Sequence, residues 1–93
     1  MHDLSMEFTC NKAKNERNIA ERGLSLLASR AMFTDKIVVY EDIRKQYPEK
    51  RFVGLNFIEG RLMVVVFCTP NANQIHIISF RKANLREIKK FKN

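Results

Sequence analysis

The chain predicts an α+β domain: a small, mainly antiparallel sheet with two N-terminal helices and a C-terminal helix. Three observations carry that expectation. Between Arg51 and Phe80 lie three runs rich in Val, Ile and Phe, separated by turn chemistry, as in consecutive strands. Helix-forming composition falls outside this stretch, at 12–22, 26–33 and 85–91, so helices and strands are segregated rather than alternating. The hairpin centred on Glu59-Gly60 is apolar on both faces, which suits the centre of a sheet and not a half-wet edge.

Taken in order, residues 1–5 read as an extension and Glu7–Cys10 as a short opening strand. Asn11 is a good N-cap for a helix over Lys12–Arg22, with Ala13, Ile19 and Ala20 as its expected buried stripe and Gly23 closing it. Ser25 caps a second helix, Leu26–Phe33, whose apolar positions suit a core-facing element. Ile37–Tyr40 is a β-branched run and reads as a strand. The charged stretch Glu41–Lys50, interrupted by Pro48, reads as a loop.

A two-residue connection ending in Gly suits a tight hairpin, because a primed turn needs positive φ. That register pairs Ile58 with Arg61, Leu55 with Val64 and Arg51 with Cys68. Val53, Leu55, Phe57, Leu62, Val64 and Val66 then share one face, and Phe52, Gly54, Asn56, Ile58, Met63, Val65 and Phe67 share the other. Thr69–Gln74 reads as a polar turn segment leading into a strand over Ile75–Phe80. Asn84 and Glu87 have the spacing of a capping box. They open a helix over Leu85–Phe91 with Leu85 and Ile88 toward the core and Lys89, Lys90 and Lys92 toward water.

Composition bounds the function. With 93 residues, 45% of them apolar, and no repeat, low-complexity tract or linker, the chain reads as a single domain. Its longest apolar run, Leu62–Cys68, is far too short to span a membrane, and no secretory pattern opens the chain, so a cytoplasmic location is expected. Cys10 and Cys68 lack metal-ligand spacing and read as structural thiols. The net charge of +7 is concentrated, with +3 over 44–51 and +5 over 81–93. Two basic blocks bracketing an apolar sheet suggest a surface for a polyanion, nucleic acid being the commonest.

No Gly-rich phosphate loop, zinc motif or Ser–His–Asp order is present. What remains is Arg, His and Glu near strand ends, a set suited to cleaving RNA through its own 2′-hydroxyl. That reaction needs a base for the 2′-OH, cations for the developing phosphorane charge and an acid for the 5′-oxygen. His76, the one histidine in the patterned region, suits proton transfer near neutrality, although its spacing alone equally fits a strand histidine that is merely packed or wet. Arg51 and Arg81 suit the cationic role because the guanidinium fork matches phosphate oxygens. Glu49 is a weaker candidate base. Arg61, Lys82, Arg86, Lys89 and Lys90 supply the expected RNA-binding surface; Tyr47 and Phe57 could stack a base, although aromatic residues in a small α+β domain are mostly core.

These residues fall in a pattern that resembles the BrnT-type toxins, the ribonuclease half of a bacterial type II toxin–antitoxin pair. The similarity begins at Met6-Glu7-Phe8 and runs through Ala13-Lys14-Asn15-Glu16-Arg17-Asn18-Ile19-Ala20 and Gly23-Leu24-Ser25. It resumes at Glu49-Lys50-Arg51-Phe52-Val53 and Gly60-Arg61-Leu62. It is most specific at His76-Ile77-Ile78-Ser79-Phe80-Arg81-Lys82-Ala83-Asn84, followed by Arg86-Glu87. The resemblance implies a RelE-like fold and metal-independent cleavage of RNA, with no cofactor. It also implies inhibition by a ribbon-helix-helix antitoxin in a heterotetramer that reaches operator DNA only through the antitoxin. By position, Arg51, Arg81, Ser79 and Glu87 match residues typical of the family, and His76 stands where the family has His or Arg. Arg22 stands where His is frequent, Asn71 where Arg is common, and Asn56 where Gly is frequent.

The expectation is therefore an endoribonuclease toxin in which Arg51 and Arg81 face one shared concavity and hold the scissile phosphate while His76 moves a proton. The rival readings are a non-catalytic RNA-binding module on the same basic surface, or a degenerate toxin kept as a co-repressor.

Overall fold

Glu59 and Gly60 sit at φ 50° and 80°, the two successive positive values that a type I′ hairpin turn requires. They fix the register of the central hairpin of this computed structural model, which describes residues Met6–Lys92. The expected extension at 1–5 lies outside the described residues. Strand β3 (Phe52–Ile58) pairs antiparallel with β4 (Arg61–Asn71), with Ile58 opposite Arg61 and Leu55 opposite Val64. The predicted register is the observed one.

Around this hairpin a five-stranded sheet forms in the order β1-β5-β4-β3-β2, where β1 is Glu7–Cys10, β2 is Val38–Glu41 and β5 is Gln74–Lys82. The β2–β3, β3–β4 and β4–β5 pairings are antiparallel, but β1 runs parallel to β5. The sheet is therefore mixed. The sequence did not signal this, because β1 and β5 are separated along the chain by the N-terminal helices and by strands β2, β3 and β4.

The two apolar faces of the hairpin each have a cover. On one side Met63, Val65, Phe67, Ile75, Ile77 and Phe80 pack against Leu26 and Met32 of a 3-10 helix, Leu26–Met32, capped by the Ser25 hydroxyl. On the other side Val53, Leu55, Leu62 and Val64 meet Ile88 and Phe91 of α2 (Leu85–Lys92). The second predicted helix thus forms as a 3-10 element. Burying each of these side chains contributes about 1.5–3 kcal/mol, so the hairpin dominates the core.

Three local expectations are corrected. Helix α1 (Lys12–Arg22) has the predicted bounds and caps, yet Ala13, Ile19 and Ala20 are exposed. Its inward face is carried by asparagines. Asn18 donates to the carbonyls of Leu24 and Phe80 at 2.9 and 3.2 Å, and Asn15 Oδ1 accepts the Leu26 N–H. Second, Leu85 is 78% exposed; Ile88 and Phe91 make the core contacts of α2. Third, Thr69–Gln74 is not a six-residue loop. β4 continues to Asn71, and β5 begins at Gln74. Pro70 is tolerated because β4 has by then passed the end of β3 and its pairing with β5 is irregular between Cys68 and Asn71.

Candidate functional site

Strand β5 carries the chemistry, and an irregularity within it decides where that chemistry points. Val66 pairs with Ser79, but the next residue, Phe67, pairs with Ile77, leaving Ile78 without a β4 partner. This bulge resets the pleat. Simple alternation would put His76 and Arg81 on opposite faces. With the bulge, His76, Ser79 and Arg81 all stand on the face that α2 partly covers, opposite Cys68, Val66 and Val64 respectively. Arg81 also lies within β5, not beyond its end, so its direction is fixed by the pleat.

Beyond the Leu62–Phe57 pair next to the turn, three rows of side chains that include β5 residues cross this face. The first of these runs Arg81, Val64, Leu55 and Val38. Next come Ser79, Val66, Val53 and Tyr40. The far row is Thr9, His76 and Cys68, with Arg51 continuing it just before β3. Consistent with that placement, burial pushes the Cys68 thiol up, the Glu49 carboxylate adds to the effect and Arg51 opposes it. Cys10 and Cys68 are both free thiols.

Arg81 and Arg51 do not share a concavity. Arg81 lines a hollow of about 320 Å³ with Tyr40, Asp42, Arg44 and Glu87, floored by Val53, Val64 and Val66. Arg51 lines a separate one of about 470 Å³ formed by the 41–51 loop. Their rows are separated by the four residues from Val64 to Cys68, roughly 13 Å along a strand. The two hollows share the wall Glu41, Asp42 and Ile43.

Each arginine is held differently. Arg81 gives Nη1 and Nη2 to the two oxygens of Glu87, both at 2.8 Å, while Glu87 also accepts the Asn84 N–H at 2.9 Å. Asn84 Oδ1 in turn accepts the Glu87 N–H, completing the capping box. The Arg81 hydrogen bonds, helped by Asn84 and opposed by burial, hold the Glu87 carboxyl down at about 2. This grip uses both Nη atoms, with Nη1 also donating to the Lys82 carbonyl at 3.3 Å, and Nε takes no part in it. Arg51 lies over the Tyr47 ring at 4.2 Å and 3.8 Å from Glu49. The second distance is an ion contact, too long for a hydrogen bond, and the buried Arg51 Nε has no hydrogen-bond partner among the described residues.

The loop between these hollows is organised by Asp42, a residue the sequence reading passed over. Its buried carboxylate accepts Nε and Nη2 of Arg44 at 2.9 Å each, the Arg44 N–H at 3.2 Å and the Tyr47 hydroxyl at 3.2 Å. The Arg44 hydrogen bonds hold Asp42 well below the usual carboxylate range, against the opposing effect of its burial. Tyr40, Asp42 and Arg44 are thus further residues of the site. The clue was the Asp42-x-Arg44 spacing beside Tyr47, hidden in what reads as a merely charged loop.

The remaining candidates divide. Lys90 lines a groove of about 540 Å³ with Val38, Tyr40, Leu55 and Phe91, and Arg86 and Lys89 are exposed on α2. Arg61 and Lys82 pair with Ile58 and Met63, so the pleat places them on the opposite face, above the 3-10 helix. Phe57 packs edge-to-face on Phe91. Arg22 and Asn71 make internal hydrogen bonds, to Asn18 and Gln74. Asn56 is buried and donates to the Met32 carbonyl. Among the described residues no three His, Cys, Asp or Glu side chains are grouped to hold a metal, and no helix is long and apolar enough to cross a membrane.

The fold and site together define a small basic α+β protein in which His76, Ser79 and Arg81 share one sheet face and the guanidinium groups of Arg81 and Arg44 are gripped by Glu87 and Asp42. Residues 11–87 match the family described as ribonuclease toxin, BrnT, of type II toxin-antitoxin system, and the chain belongs to that family. The fold is similar to the 1.1 Å crystal structure of the Brucella abortus ribonuclease toxin BrnT, with a TM-score of 0.68 and 21% identity over 86% of this chain and 99% of that one. No curated protein sequence matches this chain.

Proposed function

We propose that this chain is an endoribonuclease of RelE-like kind that cuts RNA without a metal, by attack of the 2′-oxygen on the adjacent phosphorus. In that step a base takes the 2′-OH proton, the O2′–P bond forms, the P–O5′ bond breaks and an acid protonates the leaving 5′-oxygen. The products are a 2′,3′-cyclic phosphate and a 5′-hydroxyl.

The observation that carries this reading is the β5 bulge, which turns His76, Ser79 and Arg81 onto one face. His76 stands opposite Cys68 in the far row, with Arg51 and Glu49 on the other side of Cys68, and in this reading the three supply a proton carrier, a cation and a base. Arg81 sits two rows away and holds the next stretch of backbone, so the arginines grip two points of the strand rather than one phosphate. Tyr40, 54% exposed between them, offers a stacking face for a base. The antitoxin is of the ribbon-helix-helix class, joins the toxin in a heterotetramer and supplies the DNA contact; neutralisation takes place in the cytoplasm.

Two experiments test this. Induction of the protein alone in a bacterial host should arrest growth and fragment RNA, with rescue by co-expression of an antitoxin. Purified protein should cut an RNA oligonucleotide in excess EDTA and leave cyclic phosphate ends. Intact RNA in the presence of bound protein would instead support the non-catalytic reading.

A further inference from the structure

The single parallel pairing of the sheet sets Thr9 directly beside His76. Phe8 and Cys10 turn into the core against the 3-10 helix, so Thr9 must point to the other face, where His76 stands. Thr9 Oγ1 and His76 Nδ1 are 2.8 Å apart. Gln74 Nε2 donates to the same Thr9 oxygen at 2.9 Å, and Gln74 Oε1 accepts from Asn71 Nδ2 at 2.9 Å. Asn71 Oδ1 accepts the Asn73 N–H at 3.0 Å, which anchors the series in the β4–β5 turn.

We infer that Thr9 is a positioning residue for His76, occupying Nδ1 so that Nε2 is the nitrogen offered to RNA. This rests on the reading of His76 as the proton carrier. An imidazole has two ring nitrogens and one free rotation; a hydrogen bond to one fixes both the ring plane and the identity of the reacting atom. Thr9 performs this because its own orientation is fixed twice, by the β1–β5 ladder and by the Gln74 amide. A hydroxyl can accept Nδ1–H while also accepting from Gln74, so both of its lone pairs are engaged when His76 offers its Nε2 lone pair as a base. The same geometry holds the imidazolium when Nε2 carries the proton to be given away. A strand of four residues at the sheet edge thereby acquires a role beyond packing.

The test uses Thr9→Val, which keeps shape and β propensity but removes the oxygen, and Thr9→Ser, which restores it. Nitrogen NMR of histidine-labelled protein reads the His76 ring directly, and cleavage of an RNA oligonucleotide reads the consequence. Thr9→Val should lower kcat by about 10- to 100-fold with KM unchanged, as expected for a misaligned reacting group, and should convert one Nδ1-bonded ring state into a mixture. Thr9→Ser should restore both. If Thr9→Val does not fold, Gln74→Met, at the turn, removes the amide that orients Thr9 and should produce the same two changes in smaller degree. Unchanged ring signals and kcat in a folded variant, alongside an inactive His76→Gln, overturn the inference and leave the reading of His76 standing. Full cleavage by His76→Gln overturns that reading, and the inference with it.

Discussion

Glu87 closes on the end of Arg81 with two parallel hydrogen bonds of 2.8 Å, so an arginine that lines the proposed RNA path is also a structural member of the α2 cap. Arg81→Ala is therefore not a silent probe of chemistry. It should weaken RNA binding and lower cleavage with it, and also loosen α2, lowering stability by about 1 kcal/mol, because both partners are only partly buried. Arg81→Lys should keep most of the stability and recover little activity, since a point charge lacks the fork. Glu87→Gln separates the effects: it keeps an oxygen for the cap but removes a negative charge beside the RNA path. Binding of a cleavage-blocked 2′-deoxy-substituted RNA, followed by anisotropy, should tighten in that variant. Unchanged or weaker binding would show that Arg81 is not in the RNA path.

The same pair predicts an acid limb of stability. The folded Glu87 carboxyl titrates at about 2 against an ordinary value of 4.5, so its folded value is depressed. A depressed carboxyl contributes stability that is fully present above about 4.5 and is lost as pH falls through about 2. The urea midpoint should thus decline between pH 5 and pH 2, and Glu87→Gln should flatten part of that decline. Asp42, held low by Arg44, contributes over the same range or lower. A midpoint independent of pH across this window would contradict both pairs.

Gly54 is required by close approach rather than by backbone angle. A Cβ there would lie 2.8 Å from Ile37 Cδ1 and 3.1 Å from Val65 Cγ1. Val65 is fully buried and β-branched, so it cannot yield, whereas the tip of Ile37 can. Gly54→Ala should cost about 1–2 kcal/mol, and Ile37→Val in the same chain should recover part of it by removing the Cδ1. Additive costs in the double-mutant cycle would place the strain at Val65 alone.

How far the sequence could be read follows from what each feature depends on. The hairpin register was legible because Glu59-Gly60 fixes the turn and strict alternation fixes the faces. Val64, expected inside, is 1% exposed, and Val64→Ala should cost about 2 kcal/mol by urea unfolding with m unchanged. The caps at Asn11, Ser25 and Asn84 were legible because they are local. Helix α1 misled because hydrophobic periodicity counts apolar side chains, while Asn15 and Asn18 dock it through hydrogen bonds. The face of His76 was not legible, since nothing in Ile75-His76-Ile77-Ile78-Ser79 marks Ile78 as the extra residue. Nor was the Thr9–His76 contact, which spans 67 positions and depends on a parallel pairing.

The face of the sheet that α2 partly covers is the one expected to meet RNA. The basic candidates were equivalent in sequence, but the pleat divides them: Lys90 borders the groove beside Tyr40 and Phe91, whereas Arg61 rises from the other face. Each cation that neutralises a phosphate of a single strand releases condensed counterions and adds about 0.7 to the slope of log K against log salt. Lys90→Glu should reduce that slope and weaken binding at low salt, with thermal stability close to the parent because the residue is exposed on α2. Arg61→Glu changes net charge equally, so it controls for general attraction to the basic chain. It should leave the slope nearly unchanged. Equal losses from both substitutions would mean that RNA responds to overall charge alone, and the α2-side groove would lose its claim to be the binding face.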